Sequence, residues 1–325
     1  MKTIDNDIKT GQFKQIYLLY GEEQYLIRQY RDKLKHALAA DDDTMNFSAF
    51  SGSDINQKEI IDLAETLPFF ADRRLILIED SGLFKKSAEE LADYMSSIPE
   101  TTYFVFAEKE IDKKTKMYKQ VKKNGSIVEF PRQNETTLSR WIEGRIRRNG
   151  KNITRDAYAL FIRKTGDDME NIRMELEKLI SYTLGRDVIT EEDVEAICTT
   201  QVSNKIFDMI TAIANRQTRN AMDLYEDLLT LKEPPMRILF LIARQFNQLL
   251  QVKELMAKGM DKGTIASKLK MQPFVVGKTM PQARQFSREQ ILSYVNSCVE
   301  TEEAVKSGRL QDRLAVELLI TKEYG

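Results

Sequence analysis

The first 130 residues alternate between two hydrophobic rhythms. Short, nearly unbroken apolar, β-branched or aromatic runs recur at 16–20 (IYLLY), 47–50 (FSAF), 75–79 (LILIE), 102–106 (TYFVF) and 126–130 (SIVEF). Runs of this length and character suit strands of a parallel sheet covered on both faces. Between them the spacing changes to the helical period. Tyr25, Leu26, Gln29, Tyr30, Lys33, Leu34, Ala37 and Leu38 trace one stripe, and Ile60, Leu63, Ala64 and Leu67 trace another. Ser53 or Asp54 offers an N-cap for the second. The β-α-β-α series predicts a doubly wound α/β layer.

After Pro131 the strand signals stop. Short helices are expected from about 135 to 200. One closes at Asn149-Gly150, one buries Ile172, Leu176, Leu179 and Ile180 on a single face, and one opens with Thr190 and Asp193 in a capping-box arrangement. From about 203 onward the pattern is helical again. Pro234-Pro235 suit the first turn of a long helix reaching about Ala257, and Ser287 with Gln290 forms a second capping box. The expected order is therefore an α/β domain over 1–133, a small helical domain over 134–202 and a larger helical domain over 203–325.

Composition narrows the class without choosing a function. With 42% hydrophobic and 30% charged residues, the chain reads as a folded globular protein with little room for low-complexity segments. The longest apolar run, ILFLIA at 238–243, falls far short of a membrane span, and the N-terminus lacks the apolar core of a signal peptide. Cys198 and Cys298 have no metal or redox spacing, so reduced thiols and a cytoplasmic location are expected. A net charge of −1 gives no global pull toward nucleic acid. Contact with nucleic acid must come from local patches or from assembly with other chains.

Catalytic chemistry is poorly supplied. His36 is the single histidine, with no cysteine near it in sequence, and no G-x-S-x-G elbow occurs. A zinc site would need more thiols or imidazoles than the chain readily offers. The stretch IYLLYGEEQYLIRQY begins like a phosphate-binding strand–loop–helix and then departs from it. Gly21 stands alone, Glu22 and Glu23 bring negative charge, and no Gly-Lys-Ser/Thr follows. A working cradle needs several glycines, a lysine for the phosphates and a hydroxyl for magnesium. RRLILIEDSG resembles the acid-terminated strand of an ATPase, but without the cradle Glu79 and Asp80 read as polar loop residues.

The most unusual local feature is AETLPFFADRRLILIED. Pro68 disfavours helical geometry in the residue before it, so the helix should stop near Leu67. Phe69 and Phe70 then fall on a short connector leading into the next strand. Two readings are open: the rings seal the sheet from beneath, or they stand out as an anchor for another protein. Two buried phenylalanines would give roughly 8–12 kcal/mol of gross apolar gain. Association costs consume much of that and still leave enough for a hot spot. Two segments are locally basic. Residues 108–123 hold seven lysines against three acids, and residues 138–151 hold four arginines and one lysine against Glu143. A solvated helix face is the ordinary reading of each. Residues 263–278 have the cadence of a helix-turn-helix, with Pro273 opening the second helix.

Taken in order, YLLYGEEQYLIRQY, LPFFADRRLILIED, WIEGRIRRNG, GDDMENIRMELEKLISY, IFDMITAI, ILFLIARQFNQLLQVKEL and IASKLKMQPFVVGK resemble the delta subunit of the bacterial DNA polymerase III clamp loader. The resemblance implies an AAA+-like α/β body without a working nucleotide site, then two all-α domains, a lid and a collar. It implies no cofactor and no catalytic residue. Implied partners are the sliding clamp (beta subunit), the delta prime and ATPase subunits of the five-subunit loader, and primed DNA within the complex. No membrane contact is expected. The implied clamp-binding residues are Leu67, Pro68, Phe69 and Phe70, where the family commonly has a leucine-phenylalanine pair in place of Phe69-Phe70. Gly21, Glu22 and Glu23 mark the degenerate nucleotide site. The competing readings are a functional P-loop-like ATPase and a helical DNA-binding protein using residues 263–278.

Overall fold

The five apolar runs pair side by side because each can bury both of its faces only within a covered sheet. A computed structural model describes residues 1–39 and 43–322. The described residues fall into two compact units, one within 1–133 and the other within 134–322. In the first, β1 (Ile16–Tyr20), β2 (Phe47–Ser51), β3 (Arg74–Glu79), β4 (Thr102–Glu108) and β5 (Ser126–Glu129) make one sheet in the order β2-β3-β4-β1-β5. All its pairings are parallel, with Leu18 opposite Phe106 on one side and Ile127 on the other. The central strands are buried almost throughout, whereas the edge strands β2 and β5 are partly exposed.

Helices α1 (Lys2–Thr10), α2 (Gln24–Leu38), α3 (Gln57–Glu65), α4 (Glu89–Tyr94) and α5 (Lys116–Asn124) complete this unit. Ile16, Leu18, Ile76, Ile78, Phe104 and Phe106 form one face of the sheet and pack with Ile60, Leu91, Met117 and Val121 from α3, α4 and α5. Helix α2 lies against β1, β3 and β4, and α1 lies against α2. The sheet is therefore doubly wound, as the alternating pattern predicts. Two details differ from the sequence expectation. The cap of α3 is Asn56, whose side chain accepts from the Lys58 N–H at 3.1 Å, rather than Ser53 or Asp54. The helix also stops at Glu65, so Leu67 leaves its stripe and stands exposed.

The second unit is mostly helical. It begins with α6 (Glu135–Arg148), α7 (Arg155–Thr165), α8 (Met169–Tyr182) and α9 (Glu191–Ile197). Ile172, Leu176 and Leu179 are buried as the stripe predicts, and Ile180 beside them is half-buried. Gly150 follows α6 with φ of 70°, and Thr190 and Asp193 form the capping box. Strand signals do not end at Pro131, however. β6 (Asn152–Ile153) pairs in parallel with β7 (Val188–Ile189), each only two residues long and so without a readable periodicity. The remaining helices are α10 (Val202–Ala214), α11 (Thr218–Thr230), α12 (Pro235–Ala257), α13 (Lys262–Leu269), α14 (Pro273–Gln285), α15 (Arg288–Lys306) and α16 (Asp312–Thr321). They enclose one core in which Phe246 stacks on Tyr294 at 4.4 Å between centroids. Among the described residues no helix is long and apolar enough to cross a membrane.

Candidate protein-docking site

Because the sheet is parallel, the α3–β3 connector enters at the edge opposite the C-terminal ends of the strands. Pro68 ends the helical run and is half-buried, while its neighbours turn outward. Leu67 is 76% exposed, Phe69 56% and Phe70 95%. The two rings touch edge to face, with centroids 4.6 Å apart. Phe70 adopts φ of 49°, a left-handed conformation that costs a bulky side chain on the order of 1–3 kcal/mol. Met45, 61% exposed, precedes the asparagine that holds this connector. An apolar ring in water beside strained backbone has no folding rationale, and such patches mark interaction surfaces.

The connector backbone is gripped from below. Asn46, at 2% exposure, accepts the Phe69 N–H at 2.6 Å on Oδ1 and donates through Nδ2 to the Phe69 carbonyl at 2.9 Å. Arg74, the buried first residue of β3, donates to the carbonyls of Thr66 (3.0 Å), Leu67 (3.3 Å) and Met45 (3.3 Å). Neither residue stands out in the sequence pattern. The available signal was a charged residue opening an apolar run that must be buried on both faces. Arg73, next to it, lies over the rings of Phe13 (5.0 Å) and Tyr103 (5.6 Å).

At the opposite edge, Gly21 ends β1 where a doubly wound sheet would bind a ligand. Three backbone donors of this turn already have partners. Gly21 N–H donates to Glu108 O (3.3 Å), Glu23 N–H to Phe130 O (3.0 Å) and Gln24 N–H to Glu22 O (3.1 Å). Gly21 has φ of 135°, and a Cβ placed there would collide with the Phe130 carbonyl. Glu22 is exposed, whereas Glu23 is buried at the start of α2. The nearby acids are also engaged: Glu79 with Arg31 at 2.5 Å and Asp80 with Lys109 at 3.0 Å. Glu108 accepts from the hydroxyl and N–H of Ser81, and burial pushes its carboxyl above the usual range.

A family model described as "DNA polymerase III, delta subunit" matches residues 17–131, and one described as "DNA polymerase III delta subunit, C-terminal domain" matches residues 203–323. The chain belongs to the DNA polymerase III delta-subunit family. It is 28% identical to the "DNA polymerase III subunit delta" of Bacillus subtilis (strain 168), over 96% of this chain and 94% of that protein. It is 23% identical to the "Probable DNA polymerase III subunit delta" of Aquifex aeolicus, over 76% and 73% of the two chains. Among solved structures it resembles the "Bacillus subtilis DNA clamp loader delta protein (YqeN)" with a TM-score of 0.74 and 26% identity, covering 98% of each chain.

In this delta-family chain the other sequence features mostly serve the fold. Several side chains of the basic segments are tied to neighbouring acids and carbonyls. Lys113 pairs with Glu129 (3.3 Å) and Lys116 with Asp93 (2.7 Å), while Lys151 is buried and donates to the carbonyls of Thr183 and Arg186 (2.6 Å each). Residues 263–278 do form two helices, α13 and α14, joined through a left-handed Lys270. His36 is exposed on α2. Both cysteines are buried, and burial pushes each thiol up to about 12. Among the described residues no group of three or more His, Cys, Asp or Glu side chains could hold a metal ion.

Proposed function

We propose that this chain is the clamp-gripping subunit of a bacterial clamp loader, located in the cytoplasm, and that Leu67, Pro68, Phe69 and Phe70 are its grip on the ring-shaped sliding clamp (beta subunit). The observation that carries this reading is Phe70, 95% exposed on a left-handed backbone at the tip of a fixed connector. Rings held in water in advance of a partner bring their full apolar area to the interface without a further ordering cost. Clamp opening then follows from differential binding. A subunit that fits the opened clamp interface better than the closed one shifts the ring toward open, by no more than that difference in affinity.

In this reading the subunit breaks no bond itself. The turn at Gly21, Glu22 and Glu23 is a nucleotide site given over to architecture, because its amides serve carbonyls of the protein and no lysine stands behind them. ATP is bound and hydrolysed by neighbouring ATPase subunits. Residues 134–202 act as the lid-like domain of an AAA+-like chain, and residues 203–325 as the collar that joins it to delta prime and the ATPase subunits around primed DNA.

The test is a calorimetric titration of the chain with the sliding clamp of the same organism. Tight binding is expected for the wild-type chain, together with its loss in F69A/F70A while circular dichroism is unchanged. Undiminished binding by that variant overturns the reading. Micromolar ATP affinity of the isolated chain in equilibrium dialysis would favour an ATPase.

A further inference from the structure

The exposure of Phe70 poses a problem that the phenylalanines themselves do not solve. Apolar rings on a short loop gain by folding back onto any nearby apolar surface, and a left-handed backbone at a bulky residue persists only where surrounding structure dictates it. Two buried polar side chains supply that structure. The Asn46 carboxamide meets both the N–H and the carbonyl of Phe69, as a neighbouring strand would. Its orientation is fixed by Asp43, which accepts from Nδ2 at 2.9 Å and from the Asn46 N–H at 2.8 Å. The Asn46 carbonyl also accepts from Leu75 N–H at 2.8 Å, which ties the arrangement to β3. Arg74 reaches back from the start of that strand and holds the carbonyls of Thr66 and Leu67.

We infer that Asn46 and Arg74 are positioning residues for clamp binding: they fix the connector backbone so that Phe69 and Phe70 stand in their binding orientation before the clamp arrives. The inference rests on the reading of Leu67–Phe70 as the clamp-binding element. It adds that affinity depends on two residues whose side chains lie beneath the exposed surface. A guanidinium suits this task because its fixed fork can serve several carbonyls at once, which a single ammonium cannot do in the same geometry. A carboxamide suits the other because it donates and accepts side by side. Loosening either leaves the rings free to collapse, so the clamp must select a minor population and the apparent affinity falls by that fraction.

The test combines binding with a measurement made without the clamp. Asn46→Asp keeps the size and the acceptor but turns a carboxylate toward the Phe69 carbonyl and Asp43. Full-length N46D is expected to bind the cognate sliding clamp about tenfold more weakly. In an F69A background the same substitution should cost less, about threefold, since one of the two side chains being positioned is gone. Hydrogen exchange of the free protein should show the Phe69 amide losing protection in N46D while the amides of β3 keep theirs. R74K, which keeps the charge and loses the fork, is expected to weaken binding in the same manner, and it carries the test should N46D not fold. A tenfold loss that persists in the F69A background, or wild-type affinity in the folded variants, overturns the positioning role. If F69A/F70A loses affinity while N46D and R74K do not, only this inference falls. If none of them loses affinity, the reading beneath it falls as well.

Discussion

The two edges of the parallel sheet carry turns of opposite design. At the C-terminal edge, the Gly21 turn is drawn inward, with its amides on the carbonyls of Glu108 and Phe130 and no space for a Cβ. At the N-terminal edge, the Leu67–Phe70 connector is pushed outward, its backbone held by Asn46 and Arg74 and its side chains in solvent. The first turn directs the N–H groups of Gly21, Glu23 and Gln24 onto carbonyls of the protein. The second satisfies its backbone and leaves apolar surface unsatisfied. Unused apolar area, rather than unused hydrogen-bond capacity, is what a protein partner can exploit.

This contrast can be broken by substitutions that act on one edge and not the other. The largest effect expected is on binding. Phe70→Ala should cost about 2–4 kcal/mol of clamp affinity. Its own stability should stay within about 0.5 kcal/mol of wild type, because the ring packs on little besides Phe69. Isothermal titration and a urea melt on the same sample measure both; a large loss of stability would mean that the ring belongs to the fold.

Gly21→Ala should show the reverse. The collision with the Phe130 carbonyl, together with the positive φ, predicts a destabilisation of about 2–4 kcal/mol by urea melt. Clamp affinity of the folded fraction should be unchanged. A smaller effect sharpens the account of Phe70. Glycine tolerates the left-handed conformation and alanine does not, so F70G should be more stable than F70A by about 1 kcal/mol despite its freer unfolded chain. Equal melting of the two would mean that the backbone relaxes once the ring is gone.

The smallest effect concerns Glu108, which accepts from Ser81 beside the Gly21 turn. Burial raises its carboxyl above the unfolded value, so the stability linked to its protonated form is full below about pH 4 and is lost as pH rises through the folded value. Glu108→Gln cannot ionise and keeps an acceptor for Ser81. Relative to wild type it should gain stability at pH 7.5 and lose that advantage toward pH 4. Thermal melts at the two pH values decide the matter, and a difference that does not change with pH would remove the assigned cause.

Much of the architecture was legible in the chain. Each of the five strands lies on the run that predicted it, most plainly the central β1, β3 and β4, because a strand buried on both faces has little choice but to be apolar along its length. Capping boxes at Thr190 and Ser287 and the proline start of α12 were equally plain, since their chemistry is local. Elements that gain their stability from distant partners were harder to see. Helix α1 buries only Ile4, and β6–β7 are two residues each. The cap of α3 was misplaced because Ser53, Asp54 and Asn56 all have suitable side chains, and only the position of the helix on the sheet selects among them.

Read alone, the chain requires a helix to end before Pro68, puts two phenylalanines after it, and leaves a single glycine between a strand and a helix without the residues of a phosphate cradle. Those are consequences of local geometry and residue chemistry. Whether the phenylalanines would seal the sheet or face solvent was open, because an apolar side chain states a preference for burial and not the surface that provides it. The folded chain turns them outward through Asn46, 23 residues before Phe69, and through Arg74 in the following strand. Hydrogen bonds between groups so far apart in the chain exist only once the sheet has brought them together.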